Sequence, residues 1–392
     1  MSHLLVVPGL LLTFILGPVG AVRVGGAGKR CGKYRVRCAF PGIGPEPRES
    51  TMSTSASIRK PGVCYATNEN GVELPVVDVT HPEFALSIGP SEQQALVQSF
   101  IRQQRPFRLL PAWLQKKFME RALRDSVLGQ ALRTAEGTYL SGLRTYLLKL
   151  GPNNLEAVTK NPIDRRIAGA MPVLSIRLRM QDVANLLAEL LTPLLLADSS
   201  RPLYLLNIAG GPAMDSLNAL ILLKRDHPQA LVDRRVVVCV LDRDAAGPAF
   251  GARALAALSV PGAPLHGTNV ELRHVTYDWA KPADLAPVLA AANRDNALIA
   301  ASSEGGLFDY GSDEEVVGNL EMLREVLMFV GSVTRADEPM KSMQKNSTVR
   351  LQLRGLEVFG ALAARAGWKI ARAIERPVSD QVALIPVRAA AR

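Results

Sequence analysis

The chain has 392 residues, of which 48% are hydrophobic and 21% charged, and its formal net charge at pH 7 is +10. That balance excludes a disordered or fibrous polypeptide and supplies enough apolar material for a core in one large or two modest domains. Residues 1–51 hold seven Lys/Arg against two Asp/Glu, and residues 83–200 hold fifteen against ten, so the excess sits in a terminal segment and a helical stretch. A diffuse excess of this kind is the mark of solvated faces and argues against a nucleic-acid partner.

Residues 4–22 are apolar and long, but no Lys or Arg precedes them, and Pro8, Gly9, Gly17, Pro18 and Gly20 interrupt them. They make a poor secretory or membrane-spanning segment. Residues 23–50 mix Gly, Pro and Arg without periodicity, and Met52 opens a stretch that reads as a natural start. Residues 1–51 are therefore expected to be a non-native or disordered extension, with translation from Met52, no membrane association and a cytoplasmic location. Cys31 and Cys38 fall within the extension, whereas Cys64 and Cys239 have neither disulfide nor metal-ligand spacing, as suits a reducing compartment.

Over residues 52–82 a small β-hairpin appendage is expected, with strands at 63–67 and 72–79 closed by Asn68-Glu69-Asn70-Gly71. Ser91 and Gln94 have the spacing of a capping box, and Leu96, Val97, Phe100 and Ile101 form the apolar stripe of the helix behind it. Residues 111–134, 139–150 and 173–197 carry apolar residues at helical intervals, with Lys116, Lys117, Arg121 and Arg124 on an outward face. Residues 83–200 thus read as a helical N-terminal cap ending at Asp198-Ser199-Ser200.

Beyond residue 200 strands alternate with helices, the sign of a parallel sheet built from βαβ units. The apolar run 203–208 breaks at Gly210 and Gly211 and resumes as a helix with Leu217, Leu220 and Ile221 on its buried face. A second strand, 235–241, ends at Asp242-Arg243-Asp244, and a third, 270–276, ends at Tyr277-Asp278-Trp279. The fourth, 297–301, runs into a loop from Ser302 to Tyr310; a helix over 313–327 and a fifth strand over 328–334 follow. The chain closes with a helix over 351–366, Gly367 as its stop, and strands 368–375 and 381–387 joined by a turn at 377–380. The expected fold class is α/β, a Rossmann-like, mostly parallel sheet with a C-terminal antiparallel hairpin, preceded by the helical cap. Glycine at the first strand end and acids at the second and third line one edge of such a sheet, where α/β folds bind ligands.

On these residues the stretch 201–388 resembles a class I S-adenosylmethionine-dependent methyltransferase. In that family a glycine-rich first loop passes under the methionine part of the cofactor, an acid ending the second strand holds the ribose hydroxyls, and an acid after the third meets the adenine amine. The resemblance places these roles on Gly210 and Gly211, on Asp242 and on Asp278, with Asn207, Ala209, Arg243, Trp279 and Ser302 as neighbouring cofactor contacts. Asn207 stands where the family has an acid, Pro212-Ala213 replaces the last glycine, and the interval from Gly210 to Asp242 is long, its extra residues fitting within 224–234.

The function so implied is methylation of a small organic acceptor held between cap and sheet edge, with S-adenosylmethionine as cofactor and no metal. Glu304, Asp309 and Tyr310, after the fourth strand, are the candidate catalytic contacts at the acceptor, although Glu304 and Asp309 equally suit caps of the helix starting near Ser312. His274 lies inside its strand and reads as packed or solvent-facing. Two rivals use the same residues: an NAD(P)-dependent oxidoreductase with Asp242 on an adenosine ribose, and a non-catalytic binding subunit of the same fold. The terminal antiparallel hairpin favours the methyltransferase reading over nicotinamide-binding Rossmann domains.

Overall fold

The structure, a computed structural model, describes residues 59–108, 111–134, 140–344 and 350–387; the expected N-terminal extension and Tyr139 lie outside the described residues. The hairpin forms from β1 (Tyr65–Thr67) and β2 (Glu73–Pro75), paired Tyr65 to Pro75. Its strands are shorter than expected at the ends away from the turn, and the Asn68 side chain closes the turn itself, accepting from the N–H groups of Asn70 and Val72 at 2.9 Å each. After β2 the chain leaves the hairpin and becomes buried, with Asn218 accepting from the Val79 N–H at 2.7 Å and donating to the Val77 carbonyl at 2.9 Å.

Five helices come before the long one: α1 (Pro90–Arg108), α2 (Ala112–Leu123), α3 (Val127–Thr134), α4 (Gly142–Lys149) and α5 (Pro162–Ala168). Helix α1 starts at Pro90, so Ser91 sits in the first turn rather than at the N-cap, and the expected capping box with Gln94 is not formed. The single helix expected over 111–134 is two. The Asp164 carboxylate reaches in from α5, accepting from Ser126 Oγ at 2.5 Å and from the N–H groups of Val127 and Leu128 at 3.2 and 2.9 Å, and so starts α3 afresh. Helix α5, capped by Asn161 with Pro162 behind it, was too short to register as a periodic pattern.

The long helix α6 (Met171–Ala197), with α7 (Met214–Asp226) and α8 (Ala246–Leu258), covers one face of the main sheet; α9 (Ala286–Arg294), α10 (Leu307–Tyr310), α11 (Asp313–Met322) and α13 (Gly355–Arg365) cover the other, and α12 (Glu338–Gln344) lies beside α1. Among the described residues α6 alone has the length and hydropathy to cross a membrane, and half of that apolar window is buried inside the protein. One continuous apolar cluster joins the hairpin, the cap and this face of the sheet, from Leu74 through Tyr146 and Leu187 to Ala383.

The strands of the sheet are β3 (Leu203–Ile208), β4 (Arg235–Asp242), β5 (Asn269–Thr276), β6 (Leu298–Ser303), β7 (Met328–Thr334), β8 (Trp368–Ile374) and β9 (Ser379–Pro386), in the order β5-β4-β3-β6-β7-β9-β8. Pairing is parallel from β5 to β7, and β9 runs antiparallel between β7 and β8, so the expected terminal hairpin is present. Every residue of β3, β6 and β7 is buried, because helices cover both faces: Leu203 and Leu205 join one core, and Tyr204, Leu206 and Ile208 the other. This is an α/β, Rossmann-like fold.

Two boundaries matter for the site. Strand β6 runs two residues further than expected, which places Ser302 and Ser303 inside the sheet rather than in the loop. The last helix begins at Gly355, four residues late, because Arg354 turns inward to the carbonyls of Phe308 and Gly311 at 2.6 and 2.5 Å.

Arg234, in the stretch expected to be a polar loop, is instead buried. It donates to the carbonyls of Ala230 and Leu195 at 2.8 Å, Asp198 at 2.6 Å, and Arg201, thereby satisfying the C-terminal end of α6. Arg234→Ala leaves these acceptors without donors and is expected to lower unfolding stability by about 2–4 kcal/mol, read as a lower urea midpoint at unchanged slope.

Candidate functional site

The chain leaves β3, builds β4 and β5 on one side, and returns to place β6 on the other, so the crevice between the ends of β3 and β6 is the switch point where open α/β sheets bind ligands. A cavity of about 100 Å³ lies there. Its walls come from the turn after β3 (Ala209, Gly210, Gly211), the end of β4 (Asp242, Arg243, Asp244), the loop after β6 (Glu304, Gly305, Gly306) and the cap.

The turn after β3 is strained into shape. Ala209, Gly211 and Ala213 all have positive φ, at 53°, 53° and 56°, and the two alanines hold a conformation that L-residues adopt at an energetic penalty. Two hydrogen bonds hold it: the Ala209 N–H donates to the Leu241 carbonyl at 2.7 Å, and the Gly211 N–H to Asp242 Oδ2 at 2.9 Å. The other Asp242 oxygen accepts from the Asp244 N–H at 2.9 Å. Each carboxylate oxygen therefore keeps a lone pair for a ligand in the cavity. Burial raises the Asp242 pKa, and the two backbone donors oppose it.

Glycine is needed at Gly211 for a second reason. A Cβ there would stand 2.7 Å from Gly142 Cα at the start of α4, and a Cβ on Gly247, at the start of α8, would stand 2.8 Å from Gly211 Cα. Three backbones meet where no side chain fits, so the cap rests directly on the turn. Bulk at Gly211 would thus unseat the cap as well as occupy ligand space.

Below the turn lies a buried polar cluster. Asn207, the penultimate residue of β3, is fully buried, donating to Asp215 Oδ1 at 2.6 Å and to Ser216 Oγ at 2.8 Å; Ser302 Oγ donates to Asp215 Oδ2 at 2.8 Å. Neither Asn207 nor Ser302 lines the cavity; both bond Asp215 in the first turn of α7. Burial raises the Asp215 pKa, helped by the negative charge of Glu304 and opposed by Ser302, Lys149 and Asn207.

The cap contributes two cations. Lys149, two turns along α4 from Gly142, pairs with Glu304, and Arg179 of α6 donates through Nε to Glu304 at 3.2 Å and through Nη1 to Asp309 at 2.8 Å. Thr334 Oγ1 completes Asp309 at 2.7 Å. Burial opposes the charge on Arg179, but Asp309 and Glu304 outweigh it and raise its pKa. Burial also raises Asp309 and pushes Tyr310 up to about 12, which keeps the phenol protonated at neutral pH.

The expected capping of α11 by Glu304 or Asp309 does not occur: Ser312 and Glu315 form the capping box themselves. Of the three expected catalytic contacts, Glu304 and Tyr310 line the cavity, whereas Asp309 is buried behind it with both oxygens engaged. Trp279 and Tyr277 line it too, but Asp278 does not; it accepts from the Ala280 N–H at 3.2 Å and lies 3.9 Å from Arg243. His274 is exposed on the edge strand, its Nε2 2.9 Å from the Asp242 carbonyl. Sequence reasoning missed Gly142, Thr145, Lys149, Arg179 and Asp215. The spacing of Gly142, Thr145 and Lys149 on one helix face was a usable signal, as was Asp215, the one charged residue in the wholly buried stretch 214–223 of α7.

No protein-family profile and no curated protein matches the sequence. Solved structures that overlap it include the mitomycin 7-O-methyltransferase (16% identity, 76% of this chain and 73% of that one, TM-score 0.35). An O-methyltransferase from neocarzinostatin biosynthesis, in complex with S-adenosylhomocysteine and 1,4-dihydroxy-2-naphthoic acid, overlaps at 14% identity over 69% and 70% of the two chains, TM-score 0.36. The magnesium protoporphyrin IX methyltransferase of Synechocystis PCC 6803, with S-adenosylhomocysteine bound, overlaps at 15% identity over 55% and 86%, TM-score 0.35. At such TM-scores the overlaps carry no weight, and the Rossmann-like fold with its antiparallel ending stands on the strand order of this chain alone.

The buried Asp215 gives the parent protein a testable pH signature. Its unfolded carboxyl titrates near the ordinary value of 3.8 and its folded one higher, so the native chain retains a proton that the unfolded chain has lost between the two. Stability from this group is therefore full in acid, falls as pH rises through that window, and is flat above the folded pKa. Asp215→Asn removes the slope: its stability relative to the parent, from urea midpoints across pH, is expected to climb through the window. A constant difference would contradict this.

Proposed function

We propose that the chain is an S-adenosylmethionine-dependent methyltransferase acting on a small organic acceptor between cap and sheet edge. The observation that carries this is Asp242, at the switch-point end of β4, with its carboxylate bound to the Gly211 N–H and free lone pairs in the cavity. The antiparallel β8–β9 ending supports it over the nicotinamide-dependent alternative.

The residues suit the cofactor chemically. Gly210 and Gly211 form a turn free of side chains, Asp242 has acceptors for a ribose diol, and Tyr277 and Trp279 supply a flat apolar wall for an adenine. The cavity, at about 100 Å³, is smaller than the ~300–1,000 Å³ typical of ligand pockets, so binding would need it to widen. The cofactor supplies an electrophilic methyl on a sulfonium. The chain's part is to orient it, exclude water beneath the cap, and hold the acceptor in line. Tyr310, protonated at neutral pH, is suited to donate a hydrogen bond to an acceptor. Glu304 is held in place by its ion pairs with Lys149 and Arg179.

Calorimetry with S-adenosylmethionine, S-adenosylhomocysteine, NAD and NADP tests the reading. Both sulfur nucleosides are expected to bind, with Asp242→Ala weakening them by about ten- to a hundredfold, or ~1.5–3 kcal/mol. Asp278→Ala, whose side chain lies outside the cavity lining, is expected to change affinity little. Binding to NAD or NADP alone would assign the chain to the oxidoreductases, and binding to none would leave the non-catalytic subunit.

A further inference from the structure

The cap encloses a second and larger hollow. A groove of about 910 Å³ lies between the hairpin, α3, α4 and the start of α8, within the ~300–1,000 Å³ typical of small-molecule sites. Helix α4 divides it from the first cavity. Gly142, Thr145 and Lys149 of that helix line the cavity, whereas Leu143, Arg144 and Leu147 line the groove, and at 3.6 residues per turn the two sets lie roughly 170° apart. Ser141 and Asp244 border both spaces. Neither Glu304 nor Tyr310 lines the groove, which therefore stands apart from the place proposed for the acceptor.

The lining selects the ligand. Val72, Leu143, Leu147 and Val158 pack on the main core yet are only half-buried, so each leaves apolar surface towards the groove that an apolar ligand would take out of water. Three carboxylates border the same space: Glu69 and Asp125, both exposed, and Asp244, half-buried. None of the three is ion-paired among the described residues, and Arg144, the one cation of the described lining, lies within ion-pair distance of none of them. An anion here would meet an excess of like charge, whereas an apolar body carrying a positive charge matches both the walls and the rim.

We infer that this groove is a second small-molecule site, for an apolar organic amine, and that its occupant opposes cofactor binding through α4. The link to the cofactor rests on the proposed function. The cofactor cavity, at about 100 Å³, has to widen to be filled, and α4 is the wall that the two spaces share, so room gained on one face of the helix is taken from the other. Linkage then requires the two ligands to weaken each other by the same factor.

Fluorescence-anisotropy titration of the unmodified protein with 1-pyrenebutylamine, 1-pyrenebutanol and 1-pyrenebutanoate tests the site, since the three share an apolar body and differ in charge. The amine is expected to bind about tenfold tighter than the carboxylate, with the alcohol between them. A Glu69→Gln, Asp125→Asn double variant, altered only at exposed side chains, is expected to weaken the amine by about threefold and to leave the alcohol unchanged. Calorimetry with S-adenosylhomocysteine at saturating 1-pyrenebutylamine is expected to show its affinity lowered by about fivefold or more. Equal affinity for the three pyrenes, or an amine indifferent to the double variant, overturns the site. An S-adenosylhomocysteine affinity that saturating amine does not move overturns the link through α4. Failure of every sulfur nucleoside to bind overturns the proposed cofactor instead, and the pyrene series still decides the groove.

Discussion

The site depends on a contact in which no side chain takes part. Gly142 at the start of α4, Gly211 in the turn after β3 and Gly247 at the start of α8 bring three backbones within side-chain distance of one another. Close packing of this kind is unforgiving, since even a methyl group has nowhere to go. It also sets the size of the cavity, because the cap that rests on the turn is the cavity's roof. The left-handed alanines at 209 and 213 fit the same picture: a turn held away from its own preferred geometry by strand ends and helix starts that over-determine it.

The second determinant is electrostatic and joins the same two parts. Lys149 and Arg179 come from the cap side and Glu304 and Asp309 from the loop after β6, so the charges are buried only when cap and sheet are together. Separating them exposes all four to water, where they are well solvated; a buried network of this kind is a modest contributor to stability and a strong enforcer of geometry. Backbone contact at one end of α4 and charge pairing at the other therefore fix its position at two points, and the cavity lies between them.

The sheet itself was legible. Continuous apolar runs such as Leu203–Ile208 and Met328–Thr334 admit few structures other than strands covered on both faces, and the breaks at Gly210-Gly211, Asp242 and Tyr277 marked their ends. Boundaries set by long-range side chains were not. Asp164 splits a helix thirty-odd residues away in the chain, as the 36- and 37-residue separations to Leu128 and Val127 show, and Arg354 delays another by turning inward. No local pattern records such partners.

The candidate site divides along the same line. Residues adjoining strand ends (Ala209, Gly210, Gly211, Asp242, Arg243, Trp279, Glu304 and Tyr310) were placed at the cavity by sequence, because in a parallel sheet the strand end fixes the neighbourhood of the residue after it. Asn207, Ser302, Asp278 and Asp309 were assigned from the same strand-end logic and fell outside the lining: one position along a strand reverses which way a side chain points, and Asp309, on the short helix α10, faces Arg179 and Thr334. Lys149 and Arg179 were beyond reach altogether. They are separated from Glu304 by 155 and 125 residues, and the sequence by itself determined only that each lies on an amphipathic helix. That their charges close over the same cavity was decided by how the helices pack on the sheet, which depends on the shape of the whole core and on no single stretch of it.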